Sequence, residues 1–128
     1  MYQNLDLFRI SGQMAAHAGK RQANVALNVA NADTPGYQAM RIARFSDSYR
    51  PDAAGRVKTT RPSHMAGGSS PPRAIPAGAA AEPSPNGNSV SLELEMLESV
   101  DAAREHSRAL AIYRHAMTIV RSTIGPMK

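Results

Sequence analysis

Cysteine and tryptophan are absent from this 128-residue chain, and phenylalanine occurs only at positions 8 and 45. Without cysteine there is no disulfide framework, no thiolate zinc site and no cysteine nucleophile. Much of the apolar content is alanine, which buries little area, so a monomer has little from which to build a core. No run of about 18 apolar residues occurs, so no stretch reads as a membrane-spanning helix. The opening residues, Met1 to Ile10, carry Asp6 and Arg9 and lack the apolar centre of a cleaved secretion leader. The expectation is a protein that leaves the cytoplasm, if it does, without one. The length allows one domain at most.

Charge of one sign is not concentrated anywhere. The net charge is +5, but the excess is spread over the first two thirds, and Lys20-Arg21 is the longest basic run. A nucleic-acid module gathers its Lys and Arg on one face and adds aromatics or a groove-reading helix. Neither feature is present in the pattern, which leaves a small basic nucleic-acid-binding protein as a weaker alternative. Catalytic patterns are missing too. His17, His64, His106 and His115 form no i,i+4 pair and no His-Glu-x-x-His run. Glu105, His106 and Ser107 are neighbours in sequence, which on a helix points them in different directions. Gly67-Gly68-Ser69-Ser70 runs into prolines and not into the Lys-Ser/Thr of a phosphate loop. The reading is a non-enzyme with no cofactor and no metal. Residues 5–31 are amphipathic but poor in Lys and Arg, so no stable membrane insertion is expected.

What is present divides the chain into three: 1–37, 38–88 and 89–128. The stretch from Pro51 to Asn88 holds seven of the nine prolines and five of the nine glycines, with Val57, Met65 and Ile75 as its only large aliphatics. Such text cannot bury enough apolar surface to offset its conformational entropy. It reads as a flexible middle with a short extended piece near 57–65. The last third is strongly periodic. Leu92, Met96, Ser99, Ala103, His106, Leu110, Tyr113, Met117, Val120 and Ile124 alternate at spacings of four and three, a heptad seam. His106 reads as a packed polar spacer in that seam. Acidic residues fill its first half and arginines its second, which suits the helix dipole. Ser89 or Ser91 is suited to the N-cap, and Gly125-Pro126 to the stop. In the first third, Leu7, Ile10, Met14, Ala18, Val25 and Val29 mark an apolar stripe on a helix reaching about residue 30. Gly12 and Gly19 each cost it about 1 kcal/mol relative to alanine, and small neighbours let another helix come close. Met14, Met96 and Met117 read as adaptable packing. The fold expected is mostly α, with long terminal helices packed as an α-helical coiled coil around a flexible or partly extended Pro/Gly-rich middle. Each helix has a face to bury and almost no core to bury it in, so the pair is expected to pack on further copies.

Between the first helix and the middle lies Asn28-Val29-Ala30-Asn31-Ala32-Asp33-Thr34-Pro35-Gly36-Tyr37. Asn31 tolerates the left-handed conformation that ends a helix. Thr34 is pushed to extended geometry by the following proline. Pro35 and Gly36 suit the two central positions of a type II turn, which aims Tyr37. This string resembles the N-terminal signature of the bacterial flagellar rod and hook proteins. Two further stretches resemble the proximal rod members of that family: Thr60-Arg61-Pro62-Ser63-His64-Met65, and the approach to the last helix from Pro85-Asn86-Gly87-Asn88 to Glu95-Met96. About residues 66–81 stay unmatched. The sister proximal rod protein FlgC shares the turn but has a different approach to the last helix. Ser91 stands where such chains commonly carry an acid, and a serine can still cap.

The resemblance implies a structural subunit exported by the flagellar type III apparatus and assembled in the periplasmic rod of the basal body, where it transmits torque for motility. Implied partners are other copies of itself, other rod proteins (FlgC and FlgF-like), the adaptor FliE and the export gate. Asn28, Asn31, Asp33, Thr34, Pro35, Gly36 and Tyr37 carry the family turn. Leu7, Ile10, Met14, Val25, Val29, Leu92, Met96, Leu110, Tyr113, Met117, Val120 and Ile124 are the expected helix-packing residues.

Overall fold

The computed structural model describes residues 2–49, 61, 74–76 and 84–125, with side chains of the first helix from residue 6 onward. Two helices dominate: α1 (Tyr2–Ala30) and α3 (Leu92–Ile124). Between them lie a two-residue strand β1 (Met40–Arg41), one helical turn α2 (Phe45–Ser48) and a second short strand β2 (Ile75–Pro76). β1 and β2 pair antiparallel, Met40 opposite Pro76 and Arg41 opposite Ile75. The extended piece expected near 57–65 and most of the proline-rich stretch lie outside the described residues. Residues 38–49, which the sequence assigns to the flexible middle, pack on the helices instead, with Ala39 and Ile42 buried.

α1 and α3 run antiparallel along their lengths. Phe8 near the start of α1 meets Tyr113 near the end of α3, and Arg21 reaches Glu98 and Glu105. The residues α3 buries are Glu95, Ala102, Ala109 and Ala116, one every seven positions. α1 buries Ser11, His17, Ala18, Arg21, Val25 and Asn28. Each alanine methyl contributes only about 0.8 kcal/mol on burial, but its small size lets the two backbones lie close.

This contact corrects the packing read from the sequence. The leucine- and methionine-rich seam of α3 is not the face most deeply buried against α1, although its Tyr113 meets Phe8. Leu92, Met96, Ala103, Tyr113 and Ile124 are exposed, and Ser99, His106, Leu110, Met117 and Val120 are half-buried. The seam that meets α1 lies one residue away, about 100° around the helix. His106 therefore flanks the helix contact and does not space it. On α1, Ala18 and Val25 are buried and Ile10 and Met14 half-buried, but Leu7 and Val29 face out. Gly12 and Gly19 do not admit α3 either: a Cβ at each would meet open space. The reason is that α3 is two-sided. Apolar periodicity picks out the greasier side, whereas the closest approach is made by the side with the smallest residues.

The helix ends also differ in detail. Ser91 occupies the N-cap position of α3 but makes no side-chain capping bond. Ser89 uses its Oγ to accept from the Ala39 amide at 2.9 Å. α3 ends at Gly125, whose φ of 82° favours glycine.

Candidate functional site

The string from Asn28 to Tyr37 and the four residues from Asn86 to Ser89 come together at one end of the helix pair. Asn28, 1% exposed, holds β1 with both ends of its amide. Its Nδ2 donates to the Met40 carbonyl at 2.7 Å, and its Oδ1 accepts from the Met40 amide at 3.1 Å and from the Tyr37 hydroxyl at 3.3 Å. Asn24, one turn earlier, donates to the same carbonyl at 2.6 Å. A buried amide must satisfy both its donor and its acceptor, and β1 supplies one of each.

α1 then exits through tight turns. The Asn31 amide donates to the Asn28 and Leu27 carbonyls, and its side-chain Nδ2 donates to the Leu27 carbonyl at 2.8 Å. Asn31 keeps a negative φ, so the left-handed helix stop expected there does not form; its side chain occupies the terminal carbonyl instead. The Tyr37 amide donates to the Thr34 carbonyl at 3.2 Å around Pro35 and Gly36, and Gly36 has φ 72°, the positive value required at that turn position. Asp33, Thr34 and Pro35 are exposed, and Thr34 Oγ1 donates to Asn31 Oδ1 at 3.2 Å.

Asn88 closes the arrangement from 57 residues away. It is 2% exposed, and its Nδ2 lies 2.9, 2.7 and 2.9 Å from the carbonyl oxygens of Asn31, Ala32 and Thr34. Those carbonyls belong to the turns leaving α1, where helical partners run out. Its Oδ1 accepts from the Val90 amide at 2.8 Å. The backbone completes the join: Gly36 N donates to the Asn86 carbonyl and Ser89 N to the Tyr37 carbonyl, both at 3.0 Å. Gly87, with φ 78°, sits against Gly36; a Cβ on Gly87 would lie 3.5 Å from the Gly36 Cα. The two glycine turns stack, and the result is an asparagine clasp.

A second polar feature lies midway along the helices. The Arg21 side chain is 3% exposed and is held between two carboxylates one heptad apart on α3. Its Nη2 donates to Glu98 Oε2, and its Nη1 lies 2.8 Å from Glu105 Oε2, an ion pair without hydrogen-bond alignment. Burial alone would lower the Arg21 pKa, but Glu105 and Glu98 more than offset it and the net shift is upward. His17, one turn before, is buried with its Nδ1 unpartnered among the described residues. Its ring meets Phe45 edge-on at 5.6 Å, and its Nε2 is 3.4 Å from Ser48 Oγ. Burial holds the His17 pKa below its ordinary value, with Arg21 and Lys20 adding to the effect and Glu105 opposing it. Among the described residues no cluster of His, Asp and Glu is arranged to hold a metal ion, and no helix is long and apolar enough to cross a membrane.

Large apolar residues lie outside. Met96 is 67% and Ile124 74% exposed, and Leu97, Val100, Ile119 and Leu27 also face solvent. The most buried positions are thus alanines, asparagines, Val25, Ile42 and an ion cluster, while Leu27, Leu92, Met96 and Leu97 are exposed. Singly exposed apolar residues are ordinary on a soluble protein, but a continuous stripe marks a contact surface. Of the expected packing residues, Val25 is buried; on α3, Leu92, Met96, Tyr113 and Ile124 are exposed and Leu110, Met117 and Val120 half-buried. Asn88, Asn24, Arg21, Glu98 and Glu105 escape a reading based on apolar spacing. The Asn-Gly-Asn run just ahead of α3 is the one local signal for Asn88. No known protein-family model and no curated protein sequence matches the chain.

Proposed function

We propose that this chain is a structural subunit of the bacterial flagellar proximal rod, of the FlgB kind, which assembles through its terminal helices into the shaft that carries torque. It has no catalytic role in this reading. The observation that carries the proposal is the inversion of side chains on α3: in the apolar heptad seam Leu92, Met96 and Ile124 stay exposed and Leu110, Met117 and Val120 only half-buried, while alanines and an ion cluster fill the helix contact. A polypeptide that leaves large apolar residues such as Met96 and Ile124 exposed has them free for neighbouring subunits. Of the stretches that resemble the rod family, Asn28 to Tyr37 and the part of the last one from Asn86 to Ser89 are the two halves of the clasp, so much of the resemblance falls on residues with a mechanical job. The sevenfold spacing of Glu95, Ala102, Ala109 and Ala116 is the repeat a left-handed supercoil needs, and the proposed form of the helix pair in the rod is a coiled coil.

In this reading the partners are further copies, FlgC, FlgF-like rod proteins, FliE and the export gate, and the place of work is the periplasmic basal body. The test is complementation. A strain lacking its own proximal rod subunit should regain swimming with the wild-type chain and not with Met96→Glu/Met117→Glu, provided both are exported to equal levels. Swimming restored equally by both, or by neither, overturns the proposal.

A further inference from the structure

The outer seam of α3 has an internal symmetry that names an occupant. Its first half is small, with Ser99 and Ala103, and its second half is large, with Met117 and with Tyr113, whose ring also meets Phe8 and is 42% exposed. Two such helices aligned in parallel set Ser99 on Ser99 and Ala103 on Ala103, which leaves gaps there. Aligned antiparallel about Arg108, the same seam sets Ser99 opposite Met117, Ala103 opposite Tyr113 and Met96 opposite Val120. Large residues then fill the space beside small ones, as interdigitating helices require. Charge selects the same alignment. α3 begins acidic and ends basic, so a parallel pair matches acid with acid, whereas the antiparallel pair brings Glu93 of each copy beside Arg121 of the other.

We propose that, outside any larger assembly, two copies of this chain pair through the outer seams of α3 as an antiparallel twofold dimer. The contact is isologous: one patch meets itself, and the dimer closes without leaving a site for a third copy. It therefore covers the same stripe that the rod reading assigns to neighbouring subunits. The dimer does not depend on that reading.

The absence of cysteine makes the test clean. Sedimentation equilibrium of the full chain is expected to show a reversible step from 13.7 kDa to twice that mass. Single variants Met96→Cys and Val120→Cys, mixed and oxidised, are expected to give the mixed disulfide over either like pair by on the order of tenfold, because like positions lie too far apart to bridge. Ala103→Glu, on an exposed position, is expected to weaken the dimer by at least about tenfold with helical circular dichroism unchanged. A chain that stays monomeric to about 1 mM, where even weak association is visible, overturns the dimer. So do a mass above two copies, preferred Met96–Met96 disulfides, or indifference to Ala103→Glu. A wild-type chain that stays monomeric yet restores swimming defeats this inference alone; a wild-type chain that dimerises but does not complement defeats the rod reading alone.

Discussion

The two ends of the helix pair are built on opposite principles. At the clasp end, Asn28 and Asn88 use both donor and acceptor on named backbone atoms, and Asn24 adds a donor to the Met40 carbonyl. At the far end, Phe8 meets Tyr113 edge-on at 5.2 Å, and Ile119 and Ile124 face solvent. Hydrogen bonds are directional and tolerate no displacement, whereas apolar contact is indifferent to partner. The clasp end specifies and the far end adheres.

The contrast can be broken from the middle outward. Arg21→Met removes the cation between Glu98 and Glu105 and leaves two partly buried carboxylates facing an apolar side chain. A loss of about 3–5 kcal/mol is expected, read as a fall in the urea midpoint. At the clasp, Asn88→Ala takes the side-chain donor from the Ala32 carbonyl and the acceptor from the Val90 amide, and removes one of two donors from the Asn31 and Thr34 carbonyls. The Asn88 Nδ2 has two hydrogens, so about three hydrogen bonds are lost; at about 0.5–1.5 kcal/mol each the sum is about 1.5–4.5 kcal/mol, and amide exchange at residues 31–37 should accelerate. Gly36→Val forces a branched residue to positive φ at a cost of about 1–2 kcal/mol, and Gly36→Ala should lose less. Phe8→Leu at the far end gives up only the edge-to-face term, about 0.5–1.5 kcal/mol. If Phe8→Leu proves as damaging as Asn88→Ala, the contrast between the ends is wrong.

A pH titration sharpens the picture. The folded pKa of His17 lies below its ordinary 6.5, so the unfolded chain takes up a proton that the folded chain resists. Its contribution is whole above pH 6.5 and declines as pH falls from there toward the folded value. The urea midpoint should drop between pH 7.5 and 5.5, and His17→Gln should flatten that drop. A midpoint equally pH-dependent in the variant would place the proton elsewhere.

Both long helices and the turn at Pro35-Gly36 were legible in the sequence. Heptad spacing and a proline-glycine pair act locally, and local signals survive in one dimension. The face of α3 that meets α1 was not legible, because hydrophobic spacing gives weight to Leu92, Met96 and Ile124 and none to Ala102, Ala109 and Ala116. Only the neighbouring helix, with Arg21 waiting for two glutamates, decides which side is inside. Asn88 was hidden for a similar reason: an asparagine beside glycine reads as loop, and its three carbonyls lie more than fifty residues away.

The alanine repeat carries one more consequence. A track with identical rungs every seven residues fits itself again after a shift of one heptad, about 10 Å along the axis. Glu98 and Glu105 are spaced the same way, so even Arg21 would find one of them after such a slip. Neither feature can tell one notch from the next. Asn88 can, because its carbonyls occur once, and it serves as the pin that turns a sliding joint into a fixed length.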